Sequence, residues 1–321
     1  MRYKGIVIYP EELSDYWLDR VADSGMNFLG IHPMGGNLQG KPIAEAIEWV
    51  QRPETQRLLE RAESLGIAVE YEMHALSWLM ERELFAEHPD WFRMDENGER
   101  TNDYNCCASS EEGLAHLTER AAKLASIFKT PTGRYHFWTD DVPKPKCHCP
   151  KCREISAADE TMKIYNAINR GIQSVDPNGC QSYLAYDNVI DGPDTVKPDK
   201  GIYLEFAPML RNTQRTICDP ESEMNKRAVA PIRRLIELFG TKDAQVLEYW
   251  LDNSWFSDWK MPIRRFAFSP DIVAIDSAYY EKCGFETITT FGIYLGEDYY
   301  KSFGEHFDVH SYSKAVGKLS D

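Results

Sequence analysis

RYHFWTDDVPKPKCHCPKC, residues 134–152, is the stretch of the chain that is densest in chemistry. It opens as a strand, because aromatic residues such as Phe137 and Trp138 favour β structure. The strand runs out at two adjacent acids, Asp140 and Asp141. A loop broken by prolines follows and leads into a Cys-x-Cys-x-x-Cys motif. Paired carboxylates at a strand end indicate acid/base chemistry, and closely spaced thiols indicate a soft metal.

Seven other segments have the apolar, β-branched and aromatic composition of buried strands. They alternate with segments in which apolar residues recur at helical spacing, such as Glu11–Asp23 and Asp271–Lys282. The other predicted strands are Lys4–Tyr9, Asn27–His32, Ile67–His74, Gln181–Asp187, Gly201–Ala207, Ala244–Asp252 and Phe285–Tyr294. Eight strands alternating with helices predict an α/β fold, a parallel (β/α)8 TIM barrel. A doubly wound open sheet is the alternative.

Local signals set several helix boundaries. Ser109-x-x-Glu112 is a capping box that predicts the start of a helix. A helix over about Ser222–Phe239 is expected to kink at Pro231. The polar C-terminal segment is predicted to be helical. The sequence has no Pro/Gly/Ser-rich linker and no short repeat, so we predict a single domain over residues 1–321.

Composition excludes several classes of partner. The net charge of −15, from 51 acidic and 36 basic residues, would repel a nucleic-acid duplex or an anionic membrane. No apolar run approaches the ~18 residues of a membrane span. The N-terminus, MRYKGIVIYPEE, lacks the features of a signal peptide, and the clustered cysteines suit a reducing compartment. We therefore expect a cytoplasmic protein with no nucleic-acid and no membrane partner; a homo-oligomer is compatible with the composition.

The connections between the predicted elements are asymmetric. Helix-to-strand links such as Leu65-Gly66 and Cys283-Gly284 are short, whereas strand-to-helix links are long. In barrels, the strand-to-helix loops build the active face. Six of the eight tryptophans fall at strand ends or in those loops, namely Trp78, Trp91, Trp138, Trp250, Trp255 and Trp259. Loop packing explains any one of them, but the set predicts stacking on a sugar ring.

Acidic residues gather where the predicted strands end. Side chains alternate along a strand, so one of Asp140 and Asp141 is expected to face the pocket and the other to reach it from the loop. The negative charge of one carboxylate raises the pKa of an adjacent one, so that one of the two is expected to be protonated near neutral pH. Glycosidic cleavage requires such a protonated acid. A turn cap before Pro143 is the alternative for Asp141. Other strand-end candidates for ligand contact are His74, Asp187, Glu205, Glu248 and Asp252. For Glu205 and Glu248, buried salt bridges are the alternative.

The Cys-x-Cys-x-x-Cys motif predicts a metal site with one ligand still to be found. The motif supplies Cys147, Cys149 and Cys152. A closed zinc site takes four ligands, and Cys106, Cys107 and His148 are candidates for the fourth. We favour Cys107, because it lies just before the helix that leads into the strand at Arg134–Trp138. We therefore expect a structural zinc; three reduced thiols are the alternative. No glycine-rich phosphate loop occurs, so no organic cofactor is expected.

Three motifs between Glu83 and Cys152 resemble a known family. They are HPDWFRMDENGER (88–100), Cys107-Ala-Ser-Ser-Glu-Glu-Gly, and Trp138-Thr-Asp-Asp followed by the cysteine motif. They resemble a bacterial family of uncharacterised glycoside-hydrolase-like barrels, which is distantly similar to β-N-acetylhexosaminidases and α-glucuronidases. Elsewhere in the chain, the resemblance is limited to the barrel pattern.

The resemblance implies a carbohydrate substrate with a terminal β-N-acetylhexosamine. In such enzymes the first of two adjacent acids orients the substrate's acetamido group as the nucleophile, and the second protonates the leaving oxygen. Carried over, these roles fall to Asp140 and Asp141. The residues then expected to hold the sugar are Tyr249, Trp250, Asp252 and Asn253, with Trp138 and Trp255 from the tryptophan set.

Two other functions are compatible with the sequence. A uronic-acid glycosidase would use Glu205 and Glu248 and would need a cation in the pocket. Arg2, Lys4, Arg211 and Arg215 are available for that contact. A sugar-binding barrel without catalysis would keep the tryptophans and would lose nothing if the acids were removed.

Overall fold

The computed structural model describes residues 1–35, 40–142 and 146–319. Within these residues, eight parallel strands close into a barrel in chain order, which confirms the predicted (β/α)8 TIM barrel. The strands are β1 Tyr3–Ile8, β2 Phe28–Ile31, β3 Ala68–His74, β4 Arg134–Trp138, β5 Cys180–Ala185, β6 Ile202–Phe206, β7 Gln245–Glu248 and β8 Thr287–Phe291.

The described residues also contain twelve α-helices. They are α1 Asp15–Asp23, α2 Lys41–Val50, α3 Pro53–Ser64, α4 Leu76–Leu79, α5 Glu111–Ile127, α6 Ala157–Val175, α7 Glu223–Val229, α8 Ile232–Phe239, α9 Asn253–Phe256, α10 Pro270–Cys283, α11 Glu297–Phe303 and α12 Val309–Val316. The last two confirm the predicted helical C-terminal segment. None of these helices is long and apolar enough to cross a bilayer.

The chain separates into two compact units, with boundaries inside β3 and β6. The first unit comprises Met1–His32, Arg52–Glu70 and Leu204–Asp321. The second unit comprises Pro33–Gln51 and Tyr71–Tyr203. The single domain predicted over residues 1–321 stays a prediction.

In the first unit, β1 is a central strand paired with β2 and β8. Gly5 lies opposite Phe28, and a Cβ added to Gly5 would stand 2.0 Å from the Phe28 carbonyl oxygen, so the close approach of the two strands requires glycine. The buried Lys4 ammonium donates to the carbonyl oxygens of Ser313 (3.1 Å) and Gly317 (2.7 Å). These bonds satisfy carbonyls at the end of α12 and fasten the C-terminal helix to β1.

In the second unit, β4 lies between β3 and β5, and α5 packs along α6. Gly171 permits this packing, because a Cβ there would lie 2.2 Å from the Thr118 carbonyl oxygen and 2.9 Å from Ala121 Cβ. Leu117 and Ile168 are fully buried between the helices and the sheet.

Two helix predictions need correction. The helix predicted over Glu11–Asp23 begins at Asp15, because Leu13 is extended (ψ 118°) after a short 3-10 turn. The segment Ser222–Phe239 is not one kinked helix but two helices, α7 and α8. They meet at Pro231, whose nitrogen has no hydrogen to donate.

The predicted capping box at Ser109 and Glu112 is wrong by one residue. Ser110 caps α5, and its Oγ accepts a hydrogen bond from Gly113 N at 3.4 Å. Ser109 Oγ lies instead 3.1 Å from Cys152 Sγ. The hydroxyl of Ser109 is therefore engaged by a thiol rather than by the helix.

The strand predicted over Ala244–Asp252 is shorter than expected. β7 ends at Glu248, and the chain then turns until Asp252 caps α9 by accepting from Trp255 N at 3.1 Å. The polar and aromatic residues expected on this strand therefore lie in the loop that follows it.

Gly171→Ala tests the close approach of α5 and α6. Alanine gains about 1 kcal/mol of helix propensity, but overpacking costs about 1–3 kcal/mol or more when the neighbour is backbone. We expect a lower free energy of unfolding in chemical denaturation. Lys123→Ala, at an exposed position of α5, is the control and should change it by less than about 0.5 kcal/mol. Equal stability of Gly171→Ala and wild type would contradict this packing.

Candidate functional site

The candidate site of the second unit lies where β4 ends at Trp138. The Trp138 indole is buried, and its Nε1 donates to Ser182 Oγ at 3.0 Å. The His74 ring, on the neighbouring strand, stands edge-on to the indole at 5.1 Å. Trp138 therefore lies beneath the site, and in this conformation its ring offers no face to a ligand.

Asp140 is buried, and both of its carboxylate oxygens accept two hydrogen bonds. Oδ1 accepts from Ser77 N (2.9 Å) and Ser77 Oγ (2.6 Å). Oδ2 accepts from Arg82 Nη2 (2.8 Å) and Asn105 N (2.6 Å). Asn105 also accepts from Asp140 N through its amide oxygen, at 2.9 Å. The Asp140 carboxylate is thus the centre of a buried network that joins three segments.

Asp141 has a different environment, although it is the next residue. Its side chain is half-buried, and Oδ1 accepts a hydrogen bond from the Tyr186 hydroxyl at 3.1 Å. Burial, followed by the charge of Asp141, raises the pKa of Tyr186 above its ordinary value. Tyr186 therefore remains a protonated donor, and it fixes one oxygen of the Asp141 carboxylate while the group keeps access to solvent.

The loop after β2 passes close to Asp141. A Cβ added to Gly35 would lie 2.9 Å from His74 Cδ2 and 3.6 Å from Asp141 Oδ2. His74 Nδ1 lies 2.7 Å from the Thr139 carbonyl oxygen, so Nδ1 carries the hydrogen in this contact. The ring of His74 is held in one orientation beside Asp141.

A small cavity lies between the end of β4, α6 and the turn after β5. Its lining includes His74, Asp140, Tyr186 and Asp187, and its volume is about 30 Å³. A cavity of this size holds about one water molecule and excludes a sugar ring. Asp187, which adopts a left-handed conformation (φ 42°), therefore faces water-sized space.

Four buried cysteines of the second unit converge at the base of the loop after β4. Their Sγ atoms all lie within 4.8 Å of one another, and the four are Cys107, Cys147, Cys149 and Cys152. The Cys107 Sγ stands 3.7 Å from that of Cys149 and 3.9 Å from that of Cys152. Neither Cys106 nor His148 belongs to this group.

The spacing of these thiols fits a tetrahedral metal. Zn–S bonds of about 2.3 Å place tetrahedral sulfurs about 3.8 Å apart, close to the two separations above. Backbone N–H groups point at the sulfurs, from Met94 to Cys147 Sγ (3.3 Å) and from Cys152 to Cys149 Sγ (3.5 Å). Such donors stabilise thiolate charge, so the four cysteines could hold a zinc ion.

In the first unit, Glu248 belongs to a buried charge network. Arg211 lies between Glu248 (Nε to Oε1, 3.1 Å) and Asp276 (Nη2 to Oδ2, 2.6 Å), with all three side chains inaccessible to solvent. The Tyr280 hydroxyl donates to Glu248 at 2.5 Å. Burial raises the pKa of both carboxyls, and the Arg211 charge opposes that rise. Glu205 is equally buried and accepts from Gln245 Nε2 at 3.2 Å.

The residues after β7 divide into buried supports and an accessible face. Trp250 is nearly buried and donates through Nε1 to Asp276 at 3.1 Å. Asn253 is fully buried, and Asp252 caps α9. Trp255 is exposed and stands edge-on to the half-buried ring of Tyr249 at 6.0 Å. Among these predicted sugar contacts, Tyr249 and Trp255 are the accessible ones.

The four cations considered for a uronic acid are all engaged inside the first unit. Arg2 pairs with Asp243, Lys4 with the end of α12, Arg211 with Glu248 and Asp276, and Arg215 with Asp219. Lys4 and Arg211 are buried, so a substrate carboxylate would have to displace their contacts.

Several residues of the site carried no signal in the sequence. Three of them lie between β3 and α5, namely Ser77 on α4, Arg82 and Asn105, and they become recognisable only through their contacts with Asp140. Tyr186 is the penultimate residue of the strand predicted over Gln181–Asp187, yet nothing in its neighbourhood distinguished it from a core tyrosine. Asn105 has a positive φ (47°), for which asparagine is well suited, but a single asparagine does not reveal that conformation.

Comparison with known proteins identifies a family. Residues 45–237, well over half of the chain, match a domain of unknown function, DUF4838. The chain belongs to this family. No curated protein matches the sequence.

Solved structures with a similar fold include glycoside hydrolases. Thermotoga maritima Cel5A in complex with cellobiose has a TM-score of 0.55 at 10% identity, over 98% of this chain and 96% of that chain. The GH5 protein ZgEngAGH5_4 in complex with cellotriose has a TM-score of 0.53 at 12% identity, over 96% and 88%. The GH20 modules of the pneumococcal exo-β-D-N-acetylglucosaminidase StrH reach 0.47 at 12% identity, over 98% and 83%. At these identities, the first two likenesses show the barrel fold.

Arg82→Met tests the network around Asp140. Removing the guanidinium leaves a buried carboxylate without its cation, which costs about 3–5 kcal/mol. We expect a loss of that size in the free energy of unfolding, measured by urea denaturation. The matched control is Arg57→Met, because Arg57 pairs with Asp15 at an exposed site and such pairs contribute less than about 1 kcal/mol. Equal losses in the two variants would contradict a special role for the Arg82–Asp140 pair.

Proposed function

We propose that this protein is a glycoside hydrolase in which Asp141 is the general acid. The observation that carries the proposal is the contrast between two adjacent aspartates at the end of a barrel strand. Asp140 has four hydrogen-bond donors on its carboxylate, whereas Asp141 is half-buried and oriented by Tyr186. Barrel enzymes carry their catalytic groups at the carboxyl ends of the strands, which is where both residues lie.

In the proposed mechanism, protonated Asp141 gives its proton to the leaving glycosidic oxygen. The Tyr186 hydroxyl donates to Oδ1, which leaves Oδ2 to carry the proton. After cleavage, the Asp141 carboxylate is stabilised by the same hydrogen bond and can accept a proton from water. Tyr186 therefore orients the acid in both protonation states.

The proposed substrate class is a terminal β-N-acetylhexosamine, whose acetamido group serves as the nucleophile. Support comes from the resemblance of the adjacent acids to those of enzymes that remove N-acetylglucosamine. The contacts of Asp140 favour a positioning role, because orienting an acetamido N–H would require its carboxylate to give up a donor from Ser77, Arg82 or Asn105. Asp140 would then act by holding the end of β4 under Asp141.

We also propose that Cys107, Cys147, Cys149 and Cys152 bind a structural zinc ion. Support comes from the convergence of their sulfurs and from the N–H donors around them. With four thiolates the site is closed and leaves no position for substrate, so the ion would stabilise the fold and take no part in the reaction. It would join the segment at Cys107 to the loop that follows Asp141.

Asp141→Asn should lower kcat/KM by about 10²–10⁴-fold on glycosides with poor leaving groups. The loss should be smaller on p-nitrophenyl glycosides, because an activated leaving group needs little protonation. The test is a kinetic comparison on p-nitrophenyl and alkyl β-N-acetylglucosaminides. Asp187→Asn is the control, because Asp187 lines the small cavity beside Asp140 and has a left-handed conformation that asparagine tolerates; this variant should stay within about threefold of wild type.

Asp140→Asn separates the two roles considered for that residue. Both roles predict reduced stability, because asparagine cannot pair with Arg82. A positioning role predicts a loss of kcat that, like that of Asp141→Asn, is smaller on activated substrates, whereas an orienting role predicts a loss that persists on them. Wild-type kcat/KM for Asp141→Asn, on an alkyl glycoside that the wild type cleaves, would remove Asp141 from the mechanism. Sugar binding without hydrolysis by the wild type would favour a non-catalytic binding barrel.

Freshly purified protein should contain about one zinc ion per chain, measured by elemental analysis. Cys107→Ala should lose the ion and several kcal/mol of folding free energy. The matched variant is Cys106→Ala, a buried neighbour outside the cluster, which should keep the ion. Absence of zinc from the wild type, with a melting temperature that chelator does not change, would contradict the proposed site.

A further inference from the structure

The first unit contains a cleft to which the proposed mechanism assigns no ligand. It opens beside the end of β7 and has a volume of about 490 Å³, within the usual range for small-molecule sites of about 300–1,000 Å³. Its lining includes Tyr249, Trp250, Trp255, Phe256, Phe266 and Phe268. A concave site of this size and aromatic content suits a small ligand with apolar faces.

Two of the lining aromatic residues are conspicuously exposed. Trp255 is 39% and Phe256 47% accessible, although both lie at the wall of a cleft. Large apolar side chains that are exposed to solvent at a concave surface indicate a binding site, since their exposure does not stabilise the folded protein.

A buried polar frame holds these rings in place. Asn253, fully buried, donates through Nδ2 to the Arg264 carbonyl oxygen (3.2 Å) and accepts from Ser257 Oγ (3.1 Å). Asp252 Oδ1 accepts from Trp255 N, which fixes the start of α9. Phe256 packs edge-on against Phe266 at 5.3 Å. The aromatic face is therefore ordered before a ligand arrives, which reduces the entropy lost on binding.

The charges of the cleft exclude an anionic ligand. Among its described lining residues, Arg211 is the one cation, and its guanidinium is bound to Glu248, Asp276 and the Arg215 carbonyl oxygen. The other charged lining residues are acids, Asp252 and Asp258. Asp258 pairs with Arg264 at 2.5 Å. A carboxylate or phosphate entering the cleft would meet carboxylates and no available cation.

We infer that this cleft is a binding site for an uncharged sugar, whose ring stacks on Trp255 and Phe256. Neutral hydroxyls suit the polar lining residues such as Asn212 and Gln214, and the apolar ring face suits the aromatic residues. The inference rests on the proposed function for the class of ligand, a sugar. It narrows that class, because the charges of the cleft favour neutral sugars over uronic acids.

The test is calorimetric titration of the full-length Asp141→Asn protein, in which hydrolysis does not interfere. Chitotriose and cellotriose are the neutral probes, and trigalacturonate is the charged probe. We expect at least one neutral trisaccharide to bind and trigalacturonate to bind much more weakly. Trp255→Ala, in the same background, should weaken neutral binding by about tenfold or more.

The matched control is Trp259→Ala. Trp259 is 57% exposed on the same loop but does not line the cleft. Its removal should leave the dissociation constant unchanged, and melting temperatures should show that both variants fold. Size-exclusion chromatography should show the same oligomeric state for both variants.

Four results would each overturn the inference. They are no binding of either neutral probe, binding of trigalacturonate at least as tight, equal effects of the two tryptophan variants, or a change of oligomeric state caused by Trp255→Ala. The last would identify the aromatic face as a contact between copies of the chain. Hydrolysis by the wild type is measured separately, so failure of the inference and failure of the proposed function are distinguishable.

Discussion

The buried Asp140 carboxylate is the interaction on which the candidate site depends. A desolvated carboxylate is costly unless donors surround it, and here Ser77, Arg82 and Asn105 supply them. These donors come from separate stretches of the long region between β3 and α5. The charge therefore connects α4, which carries Ser77, with the segments at Arg82 and Asn105. This arrangement also determines the position of the Asp141 backbone, since Asp141 is the next residue in the chain.

The first unit uses the opposite arrangement, one buried cation between two acids. Arg211 is bound by Glu248 and Asp276, and Tyr280 and Trp250 supply further donors to the same acids. A closed network of this kind fixes the loop after β6 against the end of β7 and α10. It also removes from solvent the arginine and the glutamate that would otherwise be the obvious pair for an acidic sugar. Among the residues after β7 that were predicted to contact the sugar, the accessible ones are the aromatic Tyr249 and Trp255.

The sequence was sufficient for the fold and for the grouping of the cysteines after β4. It was not sufficient where a side chain has several possible partners. Apolar, β-branched and aromatic runs located all eight strands, because burial on a barrel strand requires apolar residues whatever the loops contain. The spacing of Cys147, Cys149 and Cys152 pointed to a cluster, and Cys107 is the cysteine that joins it. Patterns could not distinguish Asp140 from Asp141, because the difference arises from Arg82 and Tyr186, which are distant in sequence. The end of β7 was predicted wrongly because Tyr249 and Trp250 have strand propensity. In the structure, these residues lie in the turn between Glu248, where β7 ends, and Asp252, which caps α9.

The cysteine cluster and the aspartate network act on one short segment of backbone. Asn105 exchanges hydrogen bonds with Asp140, and Cys107, two residues later, lies in the cluster. Asn105 adopts a left-handed conformation, which costs free energy that neighbouring contacts must offset. Arg82 binds the Asn105 carbonyl oxygen at 2.7 Å, and Cys107 N donates to the Trp91 carbonyl oxygen at 2.8 Å. The segment is therefore held on both sides of the strained residue. The backbone before Asp141 is therefore connected, through Asn105 and Cys107, to the cysteine cluster in the loop that follows Asp141.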